Sequence, residues 1–226
     1  MFGGIAGRYD LLNHLLSANI DRRWRRLVAQ TLRPALGQDC FVLDVACGTG
    51  DLALAIIEVA PAARVVGADF CRPMLELASR KAARAGRSVP FVEGDALRLP
   101  FADGTFDAAT IGFGLRNLSS VGGGLAELFR VLRPGGVVAI LEFSRPVVPG
   151  FRALFQFYFS RVLPLIGGAV SGSRGAYEYL PDSVLRFPDQ ERLAGMMRGA
   201  GFEEVGFKNL TGGIAALHTG TRPAGG

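Results

Sequence analysis

The stretch Leu43-Asp44-Val45-Ala46-Cys47-Gly48-Thr49-Gly50-Asp51 constrains this chain more than any other. An apolar run, Phe41–Val45, leads into it, and a helix-length segment, Asp51–Ala60, leads out. A glycine-rich turn between a strand and a helix lets a ligand approach the backbone closely. The same texture recurs downstream. Apolar runs at Arg64–Ala68, Val89–Val92, Phe106–Ile111 and Val137–Leu141 alternate with helix-length segments at Pro73–Ala85 and Leu125–Leu132. Apolar runs without polar alternation mark strands covered on both faces. The repeated βα order predicts an α/β fold, a doubly wound and mostly parallel sheet.

The flanks read differently. Residues 9–19 have helical spacing, and Asp21 is placed to cap a second helix carrying Trp24, Leu27, Val28 and Leu32. Pro34 and Gly37 end that helix. Arg133-Pro134-Gly135-Gly136 reads as a helix stop and a turn before the fifth strand. Gly122-Gly123-Gly124 opens the preceding helix, and each glycine costs about 1 kcal/mol there, so a late or frayed start is expected. Residues 145–187 break the rhythm with an apolar stretch and Pro and Gly breakers, and read as an insertion over the C-terminal edge of the sheet. Pro188–Ala200 reads as a last helix, and Glu203–Lys208 with Ile214–Thr219 as an antiparallel pair. The division is one domain: 1–37 as helical cover, 38–144 as core, 145–187 as lid, 188–226 as final helix and strand pair.

At 226 residues, the chain is long enough for one domain with a real core. Mean hydropathy is +0.28, high for an enzyme, and its source is residues 151–170. A spanning helix needs about 20 mostly apolar residues. Here Arg152, Arg161 and Pro164 interrupt the run, which leaves an apolar lid or a segment lying on a membrane surface. The net charge of +5 comes from basic residues that are all Arg except Lys81 and Lys208, a bias too general to signal nucleic acid. The arginines at 22–26 read as a solvated helix face. Three cysteines without a CxxC pair argue against a disulfide framework and against structural zinc, and fit a reducing compartment. The first ten residues do not read as a signal peptide.

Three carboxylates sort the ligand. Asp44 precedes the loop, Asp69 ends the second run, and Asp95 follows the third in Glu93-Gly94-Asp95-Ala96. C-terminal ends of parallel strands converge on one crevice, so these acids are expected to line one ligand. Gly48-x-Gly50-x-x-Ala53 also satisfies a dinucleotide fingerprint, with Asp69 about 20 residues further on. A dinucleotide would seat its pyrophosphate on the helix N-terminus. Asp51 already stands there, with Asp44 close behind. Negative charge favours a cationic ligand without phosphate, and S-adenosylmethionine fits that description. Asp69 would take the ribose hydroxyls, and Asp95 with Ala96 the adenine edge.

The loop, Asp69, Asp95, Leu99-Pro100-Phe101, Phe106-Asp107 and Leu132-Arg133-Pro134-Gly135-Gly136 resemble a class I methyltransferase using S-adenosylmethionine. Five further stretches narrow the resemblance: Ile5–Asn13, Gly112-Phe113-Gly114-Leu115-Arg116-Asn117, Leu141–Pro146, Tyr179–Ser183 with Arg186-Phe187-Pro188, and Asn209–Ala215. Over nearly the whole chain it resembles the quinone-biosynthesis C-methyltransferases, whose substrates are demethylmenaquinol or the polyprenyl benzoquinol of ubiquinone synthesis. The resemblance implies a Rossmann-like domain with a helical insertion after the fifth strand. It implies donor contacts at Thr49, Asp69, Asp95 and Ala96, joined by Asp44, Gly48, Gly50, Phe70 and, through its backbone, Gly112. It implies no metal and no nucleic acid. Ala46 stands where methyltransferases generally carry a glycine.

The implied reaction is C-methylation of a polyprenyl quinol, demethylmenaquinol first and the benzoquinol second. A non-catalytic donor-binding subunit of a quinone-synthesis complex is the remaining alternative. Arg116, Asn117 and Tyr9 are the candidate catalytic residues. Arg116 is a permanent cation suited to stabilising a quinolate, Asn117 a hydrogen-bond partner for the second ring oxygen, and Tyr9 a reach into the same pocket. The insertion would take the prenyl tail. The expected location is the cytoplasm, with peripheral contact on the inner face of the cytoplasmic membrane and a homodimer both left open. His14 and His218 read as structural, and Cys47 has no nucleophilic role.

Overall fold

A computed structural model describes residues 20–148, 183, 184 and 186–225. The expected helix at 9–19, Tyr9, His14 and the apolar stretch at 151–170 lie outside the described residues.

Helix α1 spans Ile20–Leu32 and is followed by a 3-10 turn at Arg33–Ala35. Strand β1 is Phe41–Val45, α2 Asp51–Val59, β2 Arg64–Asp69, α3 Arg72–Arg84 and β3 Phe91–Glu93. Strand β4 is Phe106–Gly112, then a 3-10 turn at Leu115–Asn117, α4 at Val121–Val131 and β5 at Leu132–Phe143. Helix α5 is Gln190–Gly199, and β6 at Glu203–Leu210 and β7 at Ala215–Thr221 follow. The seven strands form one sheet in the order β3-β2-β1-β4-β5-β7-β6. The first five are parallel, while β7 runs antiparallel between β5 and β6.

Alternation along β1 explains the two cores. Leu43 and Val45 face one side, with Leu125 and Leu128 of α4 and Leu193 and Met197 of α5. Val42 faces the other, with Val28 and Leu32 of α1 and Leu52 and Ile56 of α2. A parallel strand sandwiched in this way must be apolar on both faces.

Four expectations change. Asp21 lies inside α1 rather than capping it, buried and ion-paired to Arg25 one turn later. Strand β3 starts at Phe91, because only from there does the chain pair with Gly67 of β2. Arg133-Pro134-Gly135-Gly136 is not a turn before β5 but a bulge within it. Leu132 pairs with Phe106 and Val137 with Ala108, so the intervening residues loop out. The bulge is tied down from across the sheet, with Gly135 N–H on Arg222 O and Arg222 N–H on Gly136 O, both at 2.8 Å. Helix α4 starts on time at Val121 despite its glycines. Ser120 caps it, accepting from Gly123 N–H at 2.9 Å. Leu118 packs into the space the glycine leaves, since a Cβ on Gly124 would fall 2.5 Å from Leu118 Cδ1 and displace that side chain.

Candidate active site

A cavity opens at the C-terminal edge of the parallel strands, where a doubly wound sheet places its ligands. It is lined from β1 by Ala46 and Gly48, from β2 by Asp69, Phe70 and Cys71, and from the β3 loop by Asp95 and Ala96. Gly112, Phe113, Gly114 and Asn117 complete it from β4.

The loop after β1 is held open by its backbone. Gly50 has φ 81° and lies against α3 and β3, so an added Cβ would fall 2.9 Å from Phe91 Cζ. Only glycine satisfies both the angle and the contact. Asp69 fixes the loop from the neighbouring strand. Its two oxygens accept from Gly48 N–H and Cys71 N–H, each at 2.8 Å. Burial raises its pKa above the ordinary carboxylate range, and the backbone donors partly offset that rise. Asp95 accepts from Leu97 N–H at 2.9 Å. Phe70 stands 65% exposed at the rim, an unusual place for a phenyl ring.

Other expected donor residues sit behind this surface. Asp44 is 1% exposed and accepts from Thr110 Oγ1 at 2.9 Å and Ala53 N–H at 3.1 Å, so it braces the turn into α2. Burial pushes its carboxyl up to about 7, against the pull of those two donors. Thr49 is buried, and its hydroxyl accepts from Lys81 Nζ at 3.0 Å. Asp51 meets Lys81 Nζ at 2.6 Å and Arg25 at 3.6 Å. Its charge is therefore balanced by cations, and it does not repel an anion as its place at the helix start suggested. The cavity's sign comes instead from Asp69 and Asp95. Among the described lining residues there is no lysine or arginine. Two carboxylates with no countercation among those residues suit a positively charged ligand better than a diphosphate.

Arg116 and Asn117 form the 3-10 turn after β4. Asn117 lines the cavity, and its Nδ2 donates to Phe113 O at 3.3 Å. Arg116 turns toward β5, where its Nη1 meets Glu142 Oε1 at 2.6 Å. Its guanidinium lies 5.2 Å from the centre of the Phe143 ring. Phe113, Phe143 and Trp24 pack together there, with the Phe113 and Phe143 ring centres 4.7 Å apart. Sequence reading missed Glu142 and Lys81, because their partners are distant in the chain and no spacing rule joins them. Among the described residues no group of three His, Cys, Asp or Glu side chains could hold a metal ion, and no helix is long and apolar enough to cross a membrane. Burial raises the Cys47 thiol well above its usual value, aided by Asp44 and Asp69, which suits a packed rather than a reactive thiol.

Solved structures share the fold. An S-adenosylmethionine-dependent methyltransferase from Aquifex aeolicus superposes with a TM-score of 0.62 at 19% identity, over 86% of this chain and 89% of that one. The [4+2]-cyclase SpnF gives 0.68 at 23% identity, over 90% and 81%. Sequence relatives are much nearer. A demethylmenaquinone methyltransferase of Thermus thermophilus is 54% identical over 99% of this chain and 100% of its own length. A ubiquinone/menaquinone biosynthesis C-methyltransferase UbiE of Geobacter sp. is 50% identical over 98% and 94%. The model of the ubiE/COQ5 methyltransferase family matches residues 1–222. With a parallel-sheet crevice of negative sign and a match along nearly its whole length, the chain belongs to the ubiE/COQ5 methyltransferase family.

Proposed function

We propose that this protein methylates a ring carbon of a polyprenyl quinol, demethylmenaquinol in the first place, with S-adenosylmethionine as donor. The observation that carries the reading is the cavity whose described lining holds two carboxylates and no basic side chain, in a chain 54% identical to a demethylmenaquinone methyltransferase.

Asp69 accepts the ribose hydroxyls of the donor while its present bonds to Gly48 and Cys71 hold it in place. Asp95 and the backbone of Ala96 meet the adenine edge, and Phe70 covers one face of the ring. Gly48, Thr49 and Gly50 give the turn its shape, Asp44 braces it, and Gly112 offers backbone only. When bound, the donor supplies a methyl group already electrophilic enough to need no metal.

The protein's task is then to ready a carbon nucleophile and align it. A quinol hydroxyl, with a phenol-like pKa of about 10, must lose its proton before the adjacent carbon becomes electron-rich. A quinone has no such proton, so the reduced ring is the substrate. Arg116 stabilises the quinolate oxygen and Asn117 holds the second oxygen. As the new C–C bond forms the C–S bond breaks, and the methylated carbon then loses its own hydrogen as a proton. The ring regains aromaticity and its oxygen takes one proton back, so a net single proton is released per turnover. Holding carbon, methyl and sulfur in line supplies much of the acceleration.

Names of relatives such as the Geobacter protein, which carry both quinones, favour the benzoquinol as the second substrate. The test offers purified protein, labelled donor and both reduced rings bearing a short prenyl chain. Label entering the naphthoquinol faster supports the reading. Label entering only the benzoquinol, or neither ring, overturns it.

A further inference from the structure

Beside the donor cavity is a buried ion pair whose geometry is more restrictive than charge balance requires. Arg116 is 8% exposed and Glu142 1%. Glu142 is saturated. It accepts from Arg116 Nη1 at 2.6 Å, from the Arg116 backbone N–H at 3.2 Å and from Phe143 N–H at 2.8 Å. Nη1 of Arg116 has a second acceptor, the carbonyl of Phe113, also at 2.6 Å. That carbonyl belongs to a residue with φ 57°, a rare angle for a bulky side chain, and it also accepts from Asn117. One end of the guanidinium is thus fixed at two points. The Nε–H is buried and donates to no protein atom. A buried donor on a cation is costly to leave unmade, which calls for an acceptor from outside the chain.

We propose that Glu142 is a positioning residue for the quinol. By pinning Nη1 of Arg116 it turns the guanidinium so that Nε–H is left for the ring oxygen beside the methylated carbon. This rests on the function proposed above. A neutral acceptor would not do the same work, because an uncompensated guanidinium would leave this apolar setting for water. Glu142 touches neither donor nor quinol and acts through Arg116 alone.

The test uses the full chain, labelled S-adenosylmethionine and a reduced naphthoquinol with a short prenyl chain. Glu142→Gln is expected to lower kcat by about tenfold to hundredfold, the range for a displaced reacting group, with donor Kd within about twofold of the wild type. In an Arg116→Gln background the same change is expected to cost no further activity. Arg116→Lys keeps the ion pair but has no Nε–H, and is expected to lose about tenfold or more in kcat. That variant decides the matter should Glu142→Gln fail to fold. A folded Glu142→Gln protein with wild-type kcat overturns the proposal. So does a loss of kcat matched by an equal loss of donor affinity, or an Arg116→Lys protein as fast as the wild type. A wild-type protein that binds donor yet methylates neither ring overturns the functional reading itself, and this inference with it.

Discussion

The methyl group of Ala46 fills the space that a side chain at position 114 would need: a Cβ built on Gly114 falls 2.6 Å from Ala46 Cβ. Ala46 holds φ 50°, a left-handed angle that costs an alanine about 1–2 kcal/mol. The loop therefore carries strain at 46 and an obligatory gap at 114. Gly114→Ala is expected to destabilise by about 1–3 kcal/mol, the usual range for overpacking. Adding Ala46→Gly is expected to restore most of that loss, by removing both the clash and the strained alanine. Thermal unfolding midpoints of the two single variants and the double variant give the coupling. Additive effects would show that the two sites do not share one space.

Asp69→Asn replaces one carboxylate oxygen by an amide that cannot accept. Either Gly48 N–H or Cys71 N–H then faces another donor. Donor affinity is expected to fall by about tenfold or more, as for the loss of a hydrogen bond to a charged group. Titration calorimetry with S-adenosylmethionine measures it. In the wild type, affinity should also weaken on acidification at a higher pH than an ordinary aspartate would give, because burial raises the pKa of Asp69. Affinity unchanged in the variant would remove Asp69 from the donor site.

Much of this was legible in the residues. Strand β1 has the bounds its apolar run gave, because a strand buried on both faces declares itself without alternation. The crevice followed from βα order. What stayed hidden is long-range pairing. Asp51 looked like an anion guarding a helix start, and Lys81, in the next helix but thirty positions on, balances it. Arg116 looked like a lone cation at the crevice, and Glu142 from the neighbouring strand pairs with its Nη1. The bulge at Arg133–Gly136 was unreadable for the same reason, since its partner is Arg222. Charge sorting reached a cationic ligand through Asp44 and Asp51, whereas the acids on the cavity surface are Asp69 and Asp95.

Asp44 should make the fold less stable as pH rises. Its folded pKa of about 7 exceeds the ordinary value of 3.8, so the native state binds more protons between those limits. Stability from this group is present in full below 3.8 and is lost as pH climbs through about 7. Asp44→Asn, which can still accept from Ala53 N–H while Thr110 turns its hydroxyl toward Leu43 O, is expected to flatten that slope. Denaturant unfolding of both proteins from pH 5 to pH 8.5 compares the slopes. Parallel curves would exclude Asp44 as their source.

His218 acts in the opposite sense. It is 1% exposed, its Nε2 donates to Gln190 O at 2.9 Å, and its Nδ1 is buried without a partner. Burial lowers its pKa below the ordinary 6.5, so the unfolded chain takes up the proton first. Its contribution is complete above 6.5 and is lost as pH falls from there toward the folded value. His218→Gln keeps a donor toward Gln190 and cannot titrate. The wild type is expected to lose more stability than this variant on moving from pH 7 to pH 5, and an equal loss in both would overturn the assignment.

The antiparallel insertion of β7 sets an order for assembly on the ribosome. Strand β5 has β4 on one side and waits for β7 on the other, and among the described residues β6 pairs only with β7. A nascent chain that has emerged only as far as β6 therefore exposes a long apolar edge at Val137–Leu141 before its β7 partner exists. Unpaired edges of this kind recruit other chains. Stalled translation before Ala215 should accordingly yield aggregates rather than a smaller folded unit, which makes the last strand the clasp of the whole sheet.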